Sequence, residues 1–317
     1  MFPEVKGDAL KRLNYIEGHL SGIRKMLEED KYCVDILKQT FAVRRAIQKL
    51  EVKLLEGHLH SCVIDGVKDG REDQVLDEVQ ACLDMGYTEF RFYDDLFNIN
   101  EKKILDFCDA IERRGLNFTW DFRGRVNAVT FESLRRAKAV GLRMIAFGVE
   151  TGSDEGLKNL KKGTNVGKIS NAFRWCRELG ILTVADYMIG IPTERTRDDV
   201  VNNLKFLTNL DPDYGQISIL TLYPNTPIYT QAVAKGLVEA DRWQKWSMDP
   251  KPGFIVDHWE EYLSHSEIVK IQKMGYRKFY FRPKYIWRSL LSTKSMYEFS
   301  AKAGGAMKLI RTNKRAA

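Results

Sequence analysis

The segment YCVDILKQTFAVRRAIQKLEVKLLEGHLHSC, residues 32–62, decides how the front of this chain is read. It has no Gly or Pro before Gly57, and Val43, Ile47, Leu50 and Leu54 recur at helical spacing. That period predicts one long amphipathic helix starting near residue 32. Cys33 stands at its start, and His58 and Cys62 stand four residues apart at its end. A four-residue interval puts His58 and Cys62 on one helical face. Cys33 is 25 residues from His58, roughly 37 Å at about 1.5 Å per residue. One helix cannot bring all three to one metal ion. A second protomer running antiparallel can, so the spacing implies a dimer with two sites that bridge the subunits. Two thiolates and an imidazole are a soft donor set of low coordination number. They favour Cu(I), whereas Zn(II) calls for a fourth ligand. His60 is the nearest source of one, but it points to another side of the helix.

Upstream, Leu10, Leu13, Ile16, Leu20, Ile23 and Leu27 repeat every three or four residues and predict a first helix with one apolar face. VIDGVKDG (63–70) breaks the pattern, and a third helical stretch covers about 71–85. Downstream of residue 88 the rhythm changes. Strand candidates at 89–94, 117–124, 143–150, 183–190 and 214–223 alternate with helical stretches near 100–115, 130–140, 166–179 and 197–209. Such alternation predicts parallel strands with crossover helices, as a partial barrel or an open α/β sheet.

The 317 residues suffice for two domains. No apolar run approaches the roughly 18–20 residues that span a bilayer, and the N-terminus lacks the apolar core of a secretory signal. The expected compartment is the cytoplasm. The five cysteines, 29, 20, 26 and 68 residues apart, are not a disulfide framework. The net charge of +7 is uneven. Residues 1–70 carry 12 basic and 11 acidic side chains, whereas 276–315 carry 11 Lys and Arg against Glu298 alone. This aromatic, basic end (Tyr276, Phe279, Tyr280, Phe281, Tyr285, Trp287) is open to three readings: a nucleic-acid contact, an acidic membrane contact, or a solvated terminus.

Residues 11–63, KRLNYIEGHL through LLEGHLHSCV, resemble the copper-sensing operon repressor (CsoR) family and its relatives for other metals and thiol-reactive ligands. The likeness runs over about residues 5–80. It implies Cu(I) held by Cys33, His58 and Cys62, with Tyr32 and Glu78 linking the histidine to the rest of the fold. It further implies a homodimer or tetramer that binds operator DNA without a helix-turn-helix and releases it on metal binding. Lys11, Arg12, Arg44, Arg45 and Lys49 are the DNA-contact candidates; each is equally readable as part of a solvated helix face.

FRFYDDLF (90–97), FGVETGSDEGLKNLKKGT (147–164), MIGIPTERTRDD (188–199) and LTLYPNTPIY (220–229) resemble, in order, the radical S-adenosylmethionine (SAM) enzymes that accompany cobalamin-binding domains. The likeness implies SAM-contacting groups at strand ends: Asp94, Arg123, Glu150 and the turn at Gly190. The alternative for each acid is an ion pair with a neighbouring Lys or Arg. The family holds a [4Fe–4S] cluster on C-x3-C-x2-C, and this sequence contains no such run. The cluster is therefore not expected, SAM binding is doubtful, and no catalytic residue is assigned. Residues 71–87 fit both the repressor's third helix and the barrel's first helix.

The expected architecture has two parts, an all-α antiparallel helical module (1–85) and a partial radical-SAM-like (β/α) barrel (86–290), followed by a basic tail (291–317). The leading functional expectation is a Cu(I)-responsive repressor carrying a catalytically silent radical-SAM-like domain. The alternatives are an enzyme-derived protein with a helical dimerisation domain, and a fusion in which neither half is intact.

Overall fold

The computed structural model describes residues 3–58, 72–93, 97–249, 256–293, 295–296, 300 and 302–305. The chain forms two compact units, Met1–Phe97 with Asp106–Phe118, and Asn98–Leu105 with Thr119–Ala317.

The first unit begins with two long helices, α1 (Pro3–Glu28) and α2 (Cys33–His58). Asp30 ends α1 by entering the left-handed region (φ 48°), and Lys31 N–H returns to Met26 O at 3.0 Å. A short polar side chain tolerates that conformation, and the returning N–H satisfies a terminal carbonyl. The two helices pack along one seam of Ile16, Ile23 and Val43, flanked by Ile36, Ala46 and Leu50. The predicted stripe on α1 is only partly used. Leu10, Leu13, Leu20 and Leu27 are exposed, as are Leu37, Phe41 and Ile47 on α2. One partner helix covers one seam, and this apolar face is wider than that.

Helix α3 (Glu72–Asp84) buries Val75, Leu76, Val79 and Cys82 along one side. Strand β1 (Glu89–Phe92) leads to an aromatic cluster in which Phe92, Phe97 and Phe107 meet pairwise at 5.3 Å between ring centres. Phe107 lies on α4 (Glu101–Arg114), whose end is tied to α3: Arg113 reaches Asp73 at 2.7 Å and Arg114 reaches Asp77 at 2.7 Å. These ion pairs are exposed, so they fix register more than they stabilise.

In the second unit, β2 (Thr119–Gly124), β3 (Leu142–Glu150), β4 (Leu182–Ile189) and β5 (Tyr214–Ile219) pair in parallel and in chain order. Crossover helices α5 (Phe131–Ala139), α6 (Asp154–Asn159), α7 (Val166–Glu178) and α8 (Arg197–Leu210) connect them. Capping boxes start α5 at Thr130 and Ser133 and α8 at Thr196 and Asp199, satisfying N–H groups that a helix start leaves open. Along β4, buried Thr183, Ala185, Tyr187 and Ile189 alternate with more open residues, so one sheet face carries the core. Strand β5 is shorter than the predicted 214–223. Beyond Ile219 the chain turns to residues 257–258, with Thr221 bridging His258 and Leu222 N–H donating to Asp257 O at 2.9 Å.

Helices α9 (Pro227–Ala234), α10 (Arg242–Met248), α11 (His265–Tyr280) and α12 (Pro283–Leu291) complete the unit. The aromatic end of the sequence is therefore not a free terminus up to residue 291. Tyr276 Oη bonds both Ile217 N–H (2.9 Å) and Ile217 O (3.1 Å), and Tyr280 Oη does the same at Gly215 (3.2 and 3.0 Å). Gln272 donates to Ile217 O at 2.7 Å. Side chains of α11 thus take the backbone groups that β5 does not spend on β4. The basic residues are engaged as well. Asp211 faces Arg282 (3.3 Å), Lys284 (2.8 Å) and Arg288 (3.5 Å). Arg282 donates to Thr208 O (2.6 Å) and Arg288 to Pro212 O (3.0 Å).

Candidate functional site

Cys33 is the first residue of α2, exposed to solvent, and the helix runs without interruption to His58. The His58 side chain and all of Cys62 lie outside the described residues. Tyr32 precedes the helix, is exposed, and its carbonyl accepts from Asp35 N–H (2.9 Å) and Ile36 N–H (3.3 Å). Among the described residues no three His, Cys, Asp or Glu side chains gather as a metal site. Glu78 lies on α3 beside Cys82; burial, and then the Glu78 charge, push the Cys82 thiol up.

The basic candidates are distributed over α1 and α2. Arg12 is held by Asp8 at 2.9 Å, and that hydrogen bond keeps the Asp8 carboxyl below its ordinary range. Arg44 and Arg45 both lean over the Phe41 ring, at 5.0 and 5.7 Å. Lys11 and Lys49 are exposed on α1 and α2.

The second constellation sits at the ends of β2, β3 and β4. Arg123 on β2 pairs with Asp186 on β4. Glu150 ends β3 in the left-handed region (φ 66°) and binds Lys162 at 2.6 Å. A Cβ on Gly148 would stand 2.9 Å from Glu150 Oε1, so glycine there leaves room for the carboxylate. Asp94 lies outside the described residues.

Gly190 adopts φ 74° and donates its N–H to Glu194 Oε2 at 2.6 Å. Ile191 N–H donates to the same oxygen at 3.1 Å, and Asn203 Nδ2 donates to Oε1 at 2.6 Å. Asn203 Oδ1 in turn accepts from Gly152 N–H (2.6 Å), Thr151 Oγ1 (3.1 Å) and Tyr187 Oη. Burial outweighs the donated bonds and pushes the Glu194 carboxyl up; it likewise raises the Tyr187 hydroxyl. The loops after β3 and β4 are thereby locked to one another and to α8. Asp186, Lys162, Glu194 and Asn203 were not singled out by the sequence. Glu194 was the most accessible of them, four residues beyond Gly190 within the quoted MIGIPTE stretch.

Cys82, Cys108 and Cys176 are buried in α3, α4 and α7. Burial, with Asp213 adding to it, pushes the Cys176 thiol up to about 12. Iron–sulfur clusters are held by thiolates brought together at one locus. Among the described residues these three thiols do not form such a set.

Along the chain, a helical module with a cysteine–histidine–cysteine sequence pattern is followed by a parallel α/β unit with loop-locked strand ends. Residues 5–85 match the family described as metal-sensitive transcriptional repressor, and residues 64–207 match the radical SAM superfamily. Residues 64–85 fall within both matches. The copper-sensing transcriptional repressor CsoR of Bacillus subtilis is 45% identical over 74 residues, 23% of this chain and 73% of that protein. Through this part the chain belongs to the metal-sensitive transcriptional repressor family, and the part behind it is similar to the radical SAM superfamily. An uncharacterized methyltransferase of Pyrococcus horikoshii is 29% identical over 220 residues, 69% of this chain. The chain spans only 46% of that relative's length. The structure of the radical S-adenosylmethionine methyltransferase TsrM from Kitasatospora setae, with cobalamin and a [4Fe–4S] cluster bound, is 22% identical. It covers 52% of this chain and 31% of its own, with a TM-score of 0.46.

Proposed function

We propose that the protein is a Cu(I)-responsive, DNA-binding repressor whose radical SAM domain no longer cleaves SAM. The supporting observation is the placement of Cys33 at the exposed start of a helix unbroken to His58. That length, roughly 37 Å at about 1.5 Å per residue, makes any shared site intersubunit. The exposed leucines of α1 and α2 favour the same assembly, because a second hairpin would cover them. In this reading Cys33 of one chain joins His58 and Cys62 of its partner around Cu(I), and Tyr32 and Glu78 relay the change. Lys11, Arg12, Arg44, Arg45 and Lys49 contact operator phosphates. Among the described residues no helix is long and apolar enough to cross a membrane, and the proposed site of action is the cytoplasm. The functional division is placed near residue 85, with the SAM-like part over 86–290 and a basic tail over 291–317.

Arg123, Glu150 and Gly190 cluster at strand ends where parallel α/β folds bind ligands. Together with Asp94 they would serve a SAM-like nucleotide as a bound ligand. The test is an anaerobic Cu(I) titration of the full-length protein against a competing chelator, with Cys33→Ala beside it. Tight binding of about one Cu(I) per chain, lost in Cys33→Ala, is expected of a two-thiolate soft-metal site. Equal binding by both proteins would refute the site.

A further inference from the structure

Helix α12 is bound to the protein by one side only. Arg288 reaches Asp211, Asp213 and the Pro212 carbonyl, and the Tyr285 ring packs edge-on against Tyr280 at 5.1 Å. Lys302 closes the C-terminal end, donating to Ser289 O (3.3 Å) and Thr293 Oγ1 (3.1 Å). On the other side Ile286, Trp287, Leu290 and Leu291 project outward, with Trp287 66% and Leu291 71% exposed. At about 100° per residue these four span an arc of about 140°. Ile286 and Leu290 also line an open apolar groove of about 610 Å³. The following stretch, 292–317, carries six Lys and Arg (Lys294, Lys302, Lys308, Arg311, Lys314, Arg315) against Glu298.

We infer that this face of α12 docks the protein on an anionic lipid surface. A helix held along one side that presents Trp, Leu and Ile outward, and is followed in sequence by an excess of cations, has the amphipathic character of an interfacial anchor. Anionic headgroups attract such a basic segment with about 1 kcal/mol per cation. A second copy of the chain is disfavoured because the cationic segments would be brought together. Single-stranded nucleic acid is disfavoured because the exposed face is aliphatic around one Trp, whereas base stacking uses successive aromatic rings. The three cations best placed on α12 and its approach, Arg282, Lys284 and Arg288, already face Asp211.

The full-length protein is sedimented with vesicles of phosphatidylcholine alone and with about 30 mol% phosphatidylglycerol, an anionic content sufficient for polybasic attraction. Parent protein should bind the anionic vesicles, and about 0.5 M salt should release much of it. Trp287→Asp with Leu291→Asp should lower the partition coefficient at least tenfold, about the effect expected from placing two charges in the buried face, with an unchanged unfolding midpoint. Should the double variant not fold, quenching of the parent's fluorescence by brominated anionic lipid, reduced in Trp287→Phe, tests the same contact. No binding by the parent, equal binding to neutral vesicles, or undiminished binding by the double variant overturns the inference. So does self-association, or oligonucleotide binding, that is lost in the double variant while neither chain binds vesicles.

Discussion

Asn203 Nδ2 donates to Glu194 Oε1 at 2.6 Å inside the second unit, and through this contact the loops after β3 and β4 share one support. Asn203→Ala removes the donor and leaves Gly152 N–H and the Glu194 carboxyl short of partners. A loss of about 2 kcal/mol in unfolding free energy is expected, with chemical denaturation as the measurement. Burial raises the folded-state pKa of Glu194 above its unfolded value of 4.5. The folded chain therefore holds this proton more tightly. The group's contribution is fullest below the unfolded value and declines as pH rises through the folded one. Glu194→Gln should flatten that decline while lowering stability overall, since the amide nitrogen opposes one of the donors. A variant whose stability kept the parent's pH slope would show that other groups set it.

Asp211 is the counter-charge for Arg282, Lys284 and Arg288, and it sits in the left-handed region at φ 53°. Asp211→Asn keeps a residue suited to that backbone while removing the charge. Arg282 is the most buried of the three cations, and burial already lowers its pKa. Unpairing it should cost about 3 kcal/mol, read as a lower unfolding midpoint. An unchanged midpoint would mean that the carbonyls of Thr208 and Pro212 hold the two arginines by themselves.

Helical periodicity located α1 to α3, and the strand–helix rhythm located β1 to β5 within a few residues, because both are local patterns. Two features were not local. The stripe Leu10, Leu13, Leu20 and Leu27 announced an apolar face, but its covering depends on what packs there, which one chain does not encode in period alone. Likewise the aromatic, basic end had the composition of a loose terminus. Its Tyr276, Tyr280 and Arg282 find partners at Ile217, Gly215 and Asp211, far away in the sequence. At the candidate sites, Arg123, Glu150 and Gly190 were legible from motif position at strand ends. Their partners Asp186, Lys162 and Glu194 were defined only once the strands were brought into register.

The hydroxyls of Tyr276 and Tyr280 complete the open edge of β5. Tyr276→Phe and Tyr280→Phe keep the rings and delete only those bonds. Each should destabilise by about 1 kcal/mol, and the double variant should aggregate faster on mild heating because an unpaired strand edge is exposed. Light scattering during a thermal ramp measures this. Aggregation no faster than the parent's would show that α11 shields the edge by packing alone.

Coupling between copper and DNA can be separated from copper affinity at His58. In the proposed site Cys33 and Cys62 supply the two soft donors, while the imidazole is the ligand that keeps a second ring nitrogen for an outer partner, the role proposed for Tyr32 and Glu78. Thiolates alone retain Cu(I), since soft metal and soft donor are matched. The relay, however, needs the ring, because an outer partner on the free nitrogen is what turns ligation into a change of helix packing. His58→Ala should therefore keep measurable Cu(I) binding and lose most of the copper-induced drop in DNA affinity, about tenfold or more for a coupling of about 1.4 kcal/mol. Fluorescence anisotropy of a labelled operator fragment, titrated with and without Cu(I), reads both quantities in one experiment. If His58→Ala released DNA on copper addition as fully as the parent, the signal would have to pass through the thiolates alone, and Tyr32 and Glu78 would have no part in it.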